Sequence, residues 1–290
     1  MNMDIHFTTC HHSTVKCRPR NNDYGFPGFN ITSWTPEEKL EIAKLSYGSL
    51  LEFCGQEITV IDDGSDNGEA IKWLDSLSNV KRYPHRGSSA GINEYVSNLD
   101  TSNIDIFAHF EDDMVYFNPE NLDWKAICYK FLLDNPDVAV LTLRSLLPSK
   151  DLGLPPYKGA WGPIGWRDSV NGSPPAILYK SLANANHVSL KDNYLKFFPL
   201  SGSSGVCESN MCERLKSLKM SNAEIQIPVY AFHSHCLNRK LPEIVKSEEL
   251  NLSGYGVEYG VKDMVDHIRD KKKIIYSYFE SKTKEVYRER

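Results

Sequence analysis

The chain lacks any run near the roughly 20 apolar residues that a membrane-spanning helix needs. It lacks an excess of positive charge. The formal net charge is −5, so no global field draws it to nucleic acid or to an acidic membrane surface, although a local basic groove remains open to it. It lacks a CxxC pair. The cysteines at 10, 17, 54, 128, 207, 212 and 236 are odd in number and fit no common zinc spacing, so reduced thiols are expected. The opening residues MNMDIHFTTC lack a basic stretch followed by an apolar one, so no signal peptide is expected and a cytoplasmic location is the reading. Neither an internal repeat nor a low-complexity block is present. The bulk is ordinary: 290 residues, 41% hydrophobic and 24% charged, enough for one large domain or one domain with an appendage.

Local patterns predict alternating strands and helices. DIHFTT (4–9) reads as a first strand, followed by a long polar loop rich in Gly and Pro. A helix then opens with Thr35 as N-cap, Pro36 in the first turn and Glu38 completing a capping box. Leu40, Ala43, Tyr47, Leu50 and Cys54 share one face of it, and Gly55 stops it. EITVID (57–62), NVKRYP (79–84), NIDIFAHF (103–110) and PDVAVLTLR (136–144) read as strands. GEAIKWLDSL (68–77) and SSAGINEYVSNL (88–99) read as helices, and Asn118 and Pro119 are expected to open another that runs to about Asp134. This alternation predicts an α/β fold with a mainly parallel sheet flanked by helices. Residues 145–205, dense in Gly, Pro and aromatics, read as a long functional insertion. CESNMCERLKSLKM (207–220) returns to a helix and EIQIPVYAF (224–232) to one strand, and 256–286 look like one charged helix. The expected division is a domain over 1–236 and a C-terminal helical extension over 237–290.

The acids point to chemistry. Asp62 and Asp63 end one strand; Glu111, Asp112 and Asp113 end another. Adjacent carboxylates repel, and in an open parallel sheet the strand C-termini share the edge where ligands bind. Five carboxylates at one edge predict a hard divalent cation, Mg²⁺ or Mn²⁺, which takes oxygen ligands and leaves positions for a diphosphate.

In order and spacing, four stretches resemble the nucleotide-sugar-dependent glycosyltransferases of GT-A (Rossmann-like) fold, nearest the family 2 group. They are ITVIDDGSDNG, HRGSSAGINEYV, IFAHFEDDMVYFNP, and SGVCESNMCERLKSLKM with PVYAFHSH. The resemblance covers about residues 3–236. It implies that Thr8 and Thr9 line the base pocket, and that Asp62 or Asp63 accepts from the base or ribose. Arg86, Gly87 and Asn93 would belong to the segment under the ribose-diphosphate. Glu111 would open a DxD motif and meet the ribose or a metal-bound water, Asp112 would stand beside it, and Asp113 would bind the metal. His233 or His235 would complete the metal or diphosphate shell. Two departures stand out. Ile92-Asn93 replaces the usual Arg-Asn, which leaves Arg86, His85 or Arg239 to supply the cation. Glu208-Ser209 replaces Glu-Asp, which leaves Glu208 as the candidate catalytic base; otherwise the base lies elsewhere, or the departing phosphate takes the acceptor's proton.

The remaining features have two readings each. His233 and His235, two apart, would share a face if they lie on a strand. His11 and His12 read as solvated loop more than as nucleotide contacts. Tyr157, Trp161 and Trp166 stack on an acceptor sugar or pin the insertion to the core. Lys271, Lys272 and Lys273 read as a solvated helix face; with a nucleic-acid acceptor, they and Lys16, Arg18 and Arg20 would be the first phosphate contacts.

The expected function is a glycosyltransferase, hexosyl- or pentosyl-, dependent on Mn²⁺ or Mg²⁺. It would use a UDP-sugar by default and an acceptor hydroxyl on a glycan, lipid-linked sugar, protein or modified nucleobase. The alternatives are a nucleotidyltransferase, which would carry a glycine-rich basic loop where TTCHHSTVKCRP stands, and a non-catalytic nucleotide-sugar-binding protein.

Overall fold

The computed structural model describes residues 1–13, 35–84, 90–118, 121–143, 163–167, 169, 172–179, 186–200, 207–225, 227 and 229–233. The chain begins with β1 (Met3–Thr9), whose Met3, Ile5 and Phe7 are buried on one side. Helix α1 (Pro36–Cys54) follows, its first turn closed by the Lys39 N–H on the Thr35 carbonyl. It buries Leu40, Ala43, Tyr47, Leu50 and Cys54, the face read from the sequence, and ends at Gly55 with φ +59°, where glycine carries no Cβ penalty. Then come β2 (Thr59–Asp62), α2 (Gly68–Asp75), β3 (Val80–Arg82), α3 (Ala90–Asn98) and β4 (Ile106–Glu111). Up to this point each strand and helix matches a stretch read from the sequence, with β1 starting and β4 ending one residue beyond it.

After β4 the local patterns fail in three places. Met114–Phe117 forms a strand, β5, instead of leading into a helix. Asn118 does not cap: its side chain closes a loop with the Leu122 backbone, accepting from the N–H at 2.9 Å and donating to the carbonyl at 2.7 Å. Helix α4 (Trp124–Asp134) starts later, capped by Asp123 on the Ala126 N–H. β6 (Val138–Thr142) follows as expected. The stretch read as an insertion contributes β7 (Pro163–Arg167), β8 (Ala176–Tyr179), β9 (His187–Leu190) and the short α5 (Lys191–Leu195). Helix α6 (Cys207–Leu218) comes next. The last stretch read as one strand is two, β10 (Ser221–Ile225) and β11 (Tyr230–His233), which join different sheets. β5 pairs with β11, β9 with β4, and β10 with β6, each across a long stretch of chain, so no local period announces those strands.

The main sheet has the order β3-β2-β1-β4-β9-β6-β10-β8-β7, and β11 pairs with β5 in a second sheet. β3, β2, β1 and β4 are mutually parallel; β9 lies antiparallel between β4 and β6, and β8 antiparallel between β10 and β7. The remaining strands therefore point one way, with β8 and β9 reversed. Helices cover both faces. Tyr47, Leu50 and Phe53 of α1 and Trp124, Cys128 and Phe131 of α4 build one core with Phe7, Ala108 and Phe110. Ile92 and Tyr95 of α3, Tyr194 of α5, and Met211 and Leu215 of α6 build the other with Ile61, Phe107 and Val140.

The second face carries an unusual polar row. His6, His109 and His187 stand in register on β1, β4 and β9, all buried. His6 is tied to Asp4 (Nδ1 to Oδ2, 2.9 Å) and to the Tyr194 hydroxyl (2.8 Å), and the Tyr95 hydroxyl donates to the other Asp4 oxygen (2.8 Å). The rings of His109 and His187 stack with centroids 4.9 Å apart. Burial, and then the neighbouring imidazoles, hold His109 well below the usual histidine pKa, so it is uncharged at neutral pH.

Candidate functional site

The two acidic segments meet at the end of β1. Thr9 pairs with Asp62 across β1 and β2, and Thr8 pairs with Glu111 across β1 and β4. The Thr9 carbonyl accepts from the Asp63 N–H at 3.0 Å, and the Thr9 hydroxyl donates to Asp112 Oδ2 at 2.6 Å. The Thr8 hydroxyl bonds to the Phe110 carbonyl at 3.3 Å. Three adjacent parallel strands thus deliver Asp62, Asp63, Glu111, Asp112 and Asp113 to one edge.

Each acid has its own supports. Asp62 is buried, and its Oδ1 accepts from the Ser65 N–H (3.0 Å) and hydroxyl (2.6 Å), closing the turn after β2. The other oxygen lies 3.8 Å from the Arg82 guanidinium. Asp63 Oδ1 accepts from the Gly91 N–H at 3.1 Å, a carboxylate set at the first turn of α3, where the helix dipole favours negative charge. A Cβ at position 91 would stand 3.0 Å from that oxygen, which explains a glycine inside the helix. The Asn67 side chain caps α2 by accepting from the Glu69 and Ala70 N–H groups.

The turn after β4 is braced from α1. The Ser46 hydroxyl donates to the Glu111 carbonyl at 3.2 Å, and the Tyr116 N–H donates to the Ser49 hydroxyl at 3.0 Å. The Tyr116 hydroxyl bonds to the same carbonyl (3.0 Å) and meets the Asn186 side chain. Backbone groups in a tight acidic turn need such partners when water is excluded. Burial first, and then the Asp113 carboxylate, push the Asp112 carboxyl up to about 7. Burial and the negative charge of Asp63, Asp62, Asp112 and Asp66 push the nearby Cys10 thiol up to about 12. The edge therefore carries a concentrated negative potential.

The structure brings some of the expected residues together and separates others. Register sets His233 opposite Met114, one residue from Asp113, through the pairing of β11 with β5. Asn93 lies on α3, but its amide is engaged in both directions with the Leu200 backbone, each bond 2.8 Å. Glu208 is the second residue of α6. Trp166 lies on β7, five strands from β4 in the sheet order and on the order of 24 Å away across the strands. Arg86, Gly87, Tyr157, Trp161, His235 and the extension 237–290 lie outside the described residues, as does the proposed helix 256–286.

Two groups escaped the sequence reading. Ser46, Ser49 and Tyr116 are ordinary residue types whose roles appear only when α1 crosses the β4 turn. His11, read as solvated loop, is 4% exposed and lies 2.8 Å from the Thr9 hydroxyl. Its position directly after the first strand was the available signal.

The donor chemistry at this edge suits a hard divalent ion: Asp113 and Asp112 offer carboxylate oxygen, and a cation beside them would offset the burial and the Asp113 charge that raise Asp112. Among the described residues, no three His, Cys, Asp or Glu side chains converge tightly enough to form a closed protein cage. An open site, completed by ligand oxygens or by residues beyond those described, is what this arrangement fits.

No protein-family model matches the chain, and no curated protein matches it in sequence. Solved structures do align with it. A CMP:2-keto-3-deoxy-manno-octonic acid synthetase complexed with CTP aligns with TM-score 0.44 and 14% identity, over 86% of this chain and 100% of that one. GalNAc-T7 with UDP, GalNAc and Mn²⁺ aligns with TM-score 0.46 and 9% identity, over 80% of this chain and 43% of that one. The mannosyltransferase PcManGT from Pyrobaculum calidifontis, in complex with GDP-Man and Mn²⁺, aligns with TM-score 0.44 and 10% identity, over 76% and 53%. The chain spans less than two thirds of either transferase.

Proposed function

We propose that the chain is a metal-dependent glycosyltransferase that takes its sugar from a nucleotide diphosphate donor, UDP-linked by default, and passes it to an acceptor hydroxyl. The observation that supports this most is the junction at Thr9, where the DDGSD and EDD segments meet over the end of β1. A pair of acidic strand ends fused in this way is suited to receive a nucleoside on one side and a cation-bound diphosphate on the other.

In this reading Thr8 and Asp62 or Asp63 receive the nucleoside. Glu111 meets the ribose or water in the ion's shell. Asp113 holds the ion, with His233 from the end of the strand paired to β5, or His235. When bound, Mn²⁺ or Mg²⁺ would offset the charge that builds on the departing diphosphate. Glu208, at the start of α6, takes the acceptor's proton; a different base, or the departing phosphate itself, would do so if the sugar keeps its configuration. Tyr157 and Trp161 would shape the acceptor side from the segment 145–205. The domain would run over 1–236, with 237–290 appended.

The test is a thermal-shift and calorimetric panel of UDP, GDP and CDP, each with and without Mn²⁺, followed by UDP-sugars and product analysis. UDP binding strengthened by Mn²⁺, with release or transfer of the sugar, is the expected result. Release of pyrophosphate from a nucleoside triphosphate would instead identify a nucleotidyltransferase. Cation-dependent binding with no turnover would identify a nucleotide-sugar-binding protein.

A further inference from the structure

His11 touches both acidic segments at once. Its N–H donates to the Ser65 hydroxyl at 2.9 Å, and that hydroxyl in turn holds Asp62. Its carbonyl accepts from the Asp66 and Asn67 N–H groups at 2.9 and 3.2 Å. The backbone is therefore fastened to the loop after β2. The ring points the other way: Nε2 lies 2.8 Å from Thr9 Oγ1 and 3.6 Å from Asp112 Oδ2. The indole of Trp73 meets the ring edge-on, with centroids 6.2 Å apart, and restricts its swing.

Proton counting decides what the ring does. Nδ1 of the ring is buried without a hydrogen-bond partner among the described residues, and a buried N–H with no acceptor costs more than a bare lone pair, so the ring proton sits on Nε2. In the 2.8 Å contact Nε2–H then donates to Thr9 Oγ1. The one proton of that hydroxyl is left for Asp112 Oδ2 at 2.6 Å, an oxygen that accepts whether the carboxyl is ionised or carries a proton on its other oxygen.

We propose that His11 is a positioning residue: as the Nε2–H tautomer it holds the Thr9 hydroxyl turned toward Asp112, and so orients the carboxylate of the acid turn while anchoring the neighbouring acidic loop through its backbone. The functional half of this rests on the donor-cleft reading above; the tautomer does not. Three variants separate the possibilities. His11→Gln keeps an N–H donor of similar reach, His11→Leu keeps the bulk without the donor, and Thr9→Val removes the relay.

The experiment uses the full chain, with folding of each variant checked by circular dichroism. Nitrogen-15 NMR of the histidine rings should show His11 as the Nε2–H tautomer, a preference that Thr9→Val relaxes. Calorimetry with Mn²⁺ and UDP should show His11→Leu weakened by about tenfold, the scale of a lost hydrogen bond to a charged network, and His11→Gln recovering most of the affinity. A ring found as the Nδ1–H tautomer, or His11→Leu binding as tightly as the native chain, overturns the proposal. If the native chain binds neither Mn²⁺ nor UDP, the donor-cleft reading fails, while the NMR result still decides the tautomer.

Discussion

Asp113 and Asp112 are neighbours with different surroundings. Asp112 is turned back onto the Thr9 hydroxyl and raised to about 7. Asp113 adjoins Met114, which pairs with His233 across β5 and β11. On the proposed function, Asp113→Ala removes a direct ligand and should abolish the cation's effect on UDP binding. The expected loss exceeds the roughly 10–100-fold that follows removal of an outer-shell partner. Calorimetry with and without Mn²⁺ checks this; an unchanged Mn²⁺ enhancement would remove Asp113 from the ion's shell. At this scale the acids were legible in the sequence because carboxylates after an apolar run are conspicuous. Ser46, Ser49, Tyr116 and His11 were not, because a hydroxyl or a loop histidine has no distinctive local pattern.

Among the elements, α3 is the one most tightly keyed to the acidic edge. Asp63 sits at its first turn, Asn93 grips the Leu200 backbone, and Tyr95 reaches Asp4 at the start of β1. The Leu200 segment is also held from α6, where Arg214 donates to the Lys196 and Pro199 carbonyls at 2.8 and 3.0 Å. Gly91→Ala would drive its Cβ to 3.0 Å from the Asp63 carboxylate. The expected outcome is a stability loss of about 1–3 kcal/mol, the usual range for overpacking a tight site, read from urea denaturation. A variant as stable as the native chain would mean that Asp63 swings aside without cost. Helix α1 was legible from its cap and apolar spacing, whereas β5 and β11 were not, since each forms a strand only by finding the other.

The whole molecule should be acid-sensitive through its buried histidines. An unfolded histidine titrates near 6.5, while folded His109 is held well below that and His11 near 4. Below about pH 6.5 the unfolded chain takes up protons that the folded chain refuses, so stability falls as pH falls from about 6.5 toward 4. Asp112 works in the opposite direction: raised to about 7, it stays protonated in the folded state between about pH 4 and 7 and adds stability there. With two imidazoles against one carboxyl, the net slope should be downward. His109→Gln should reduce the stability lost between pH 7 and pH 5 by about 1–2 kcal/mol. Urea midpoints at the two pH values test this; equal losses in the native chain and the variant would contradict it.

The sequence by itself determined the α/β alternation as far as β4, the helical faces that enter the core, and the placing of acids at strand ends. Those features follow from periods of two and 3.6 and from residue chemistry, which act over a few residues. Tertiary structure alone decided that the two acidic segments meet at Thr9 and that His11 is buried between them. It alone decided that the stretch after β6 supplies strands, and that His233 comes to lie beside the EDD turn. The Thr9–Asp112 bond joins residues 103 positions apart, and only the packed sheet brings such partners within hydrogen-bonding distance.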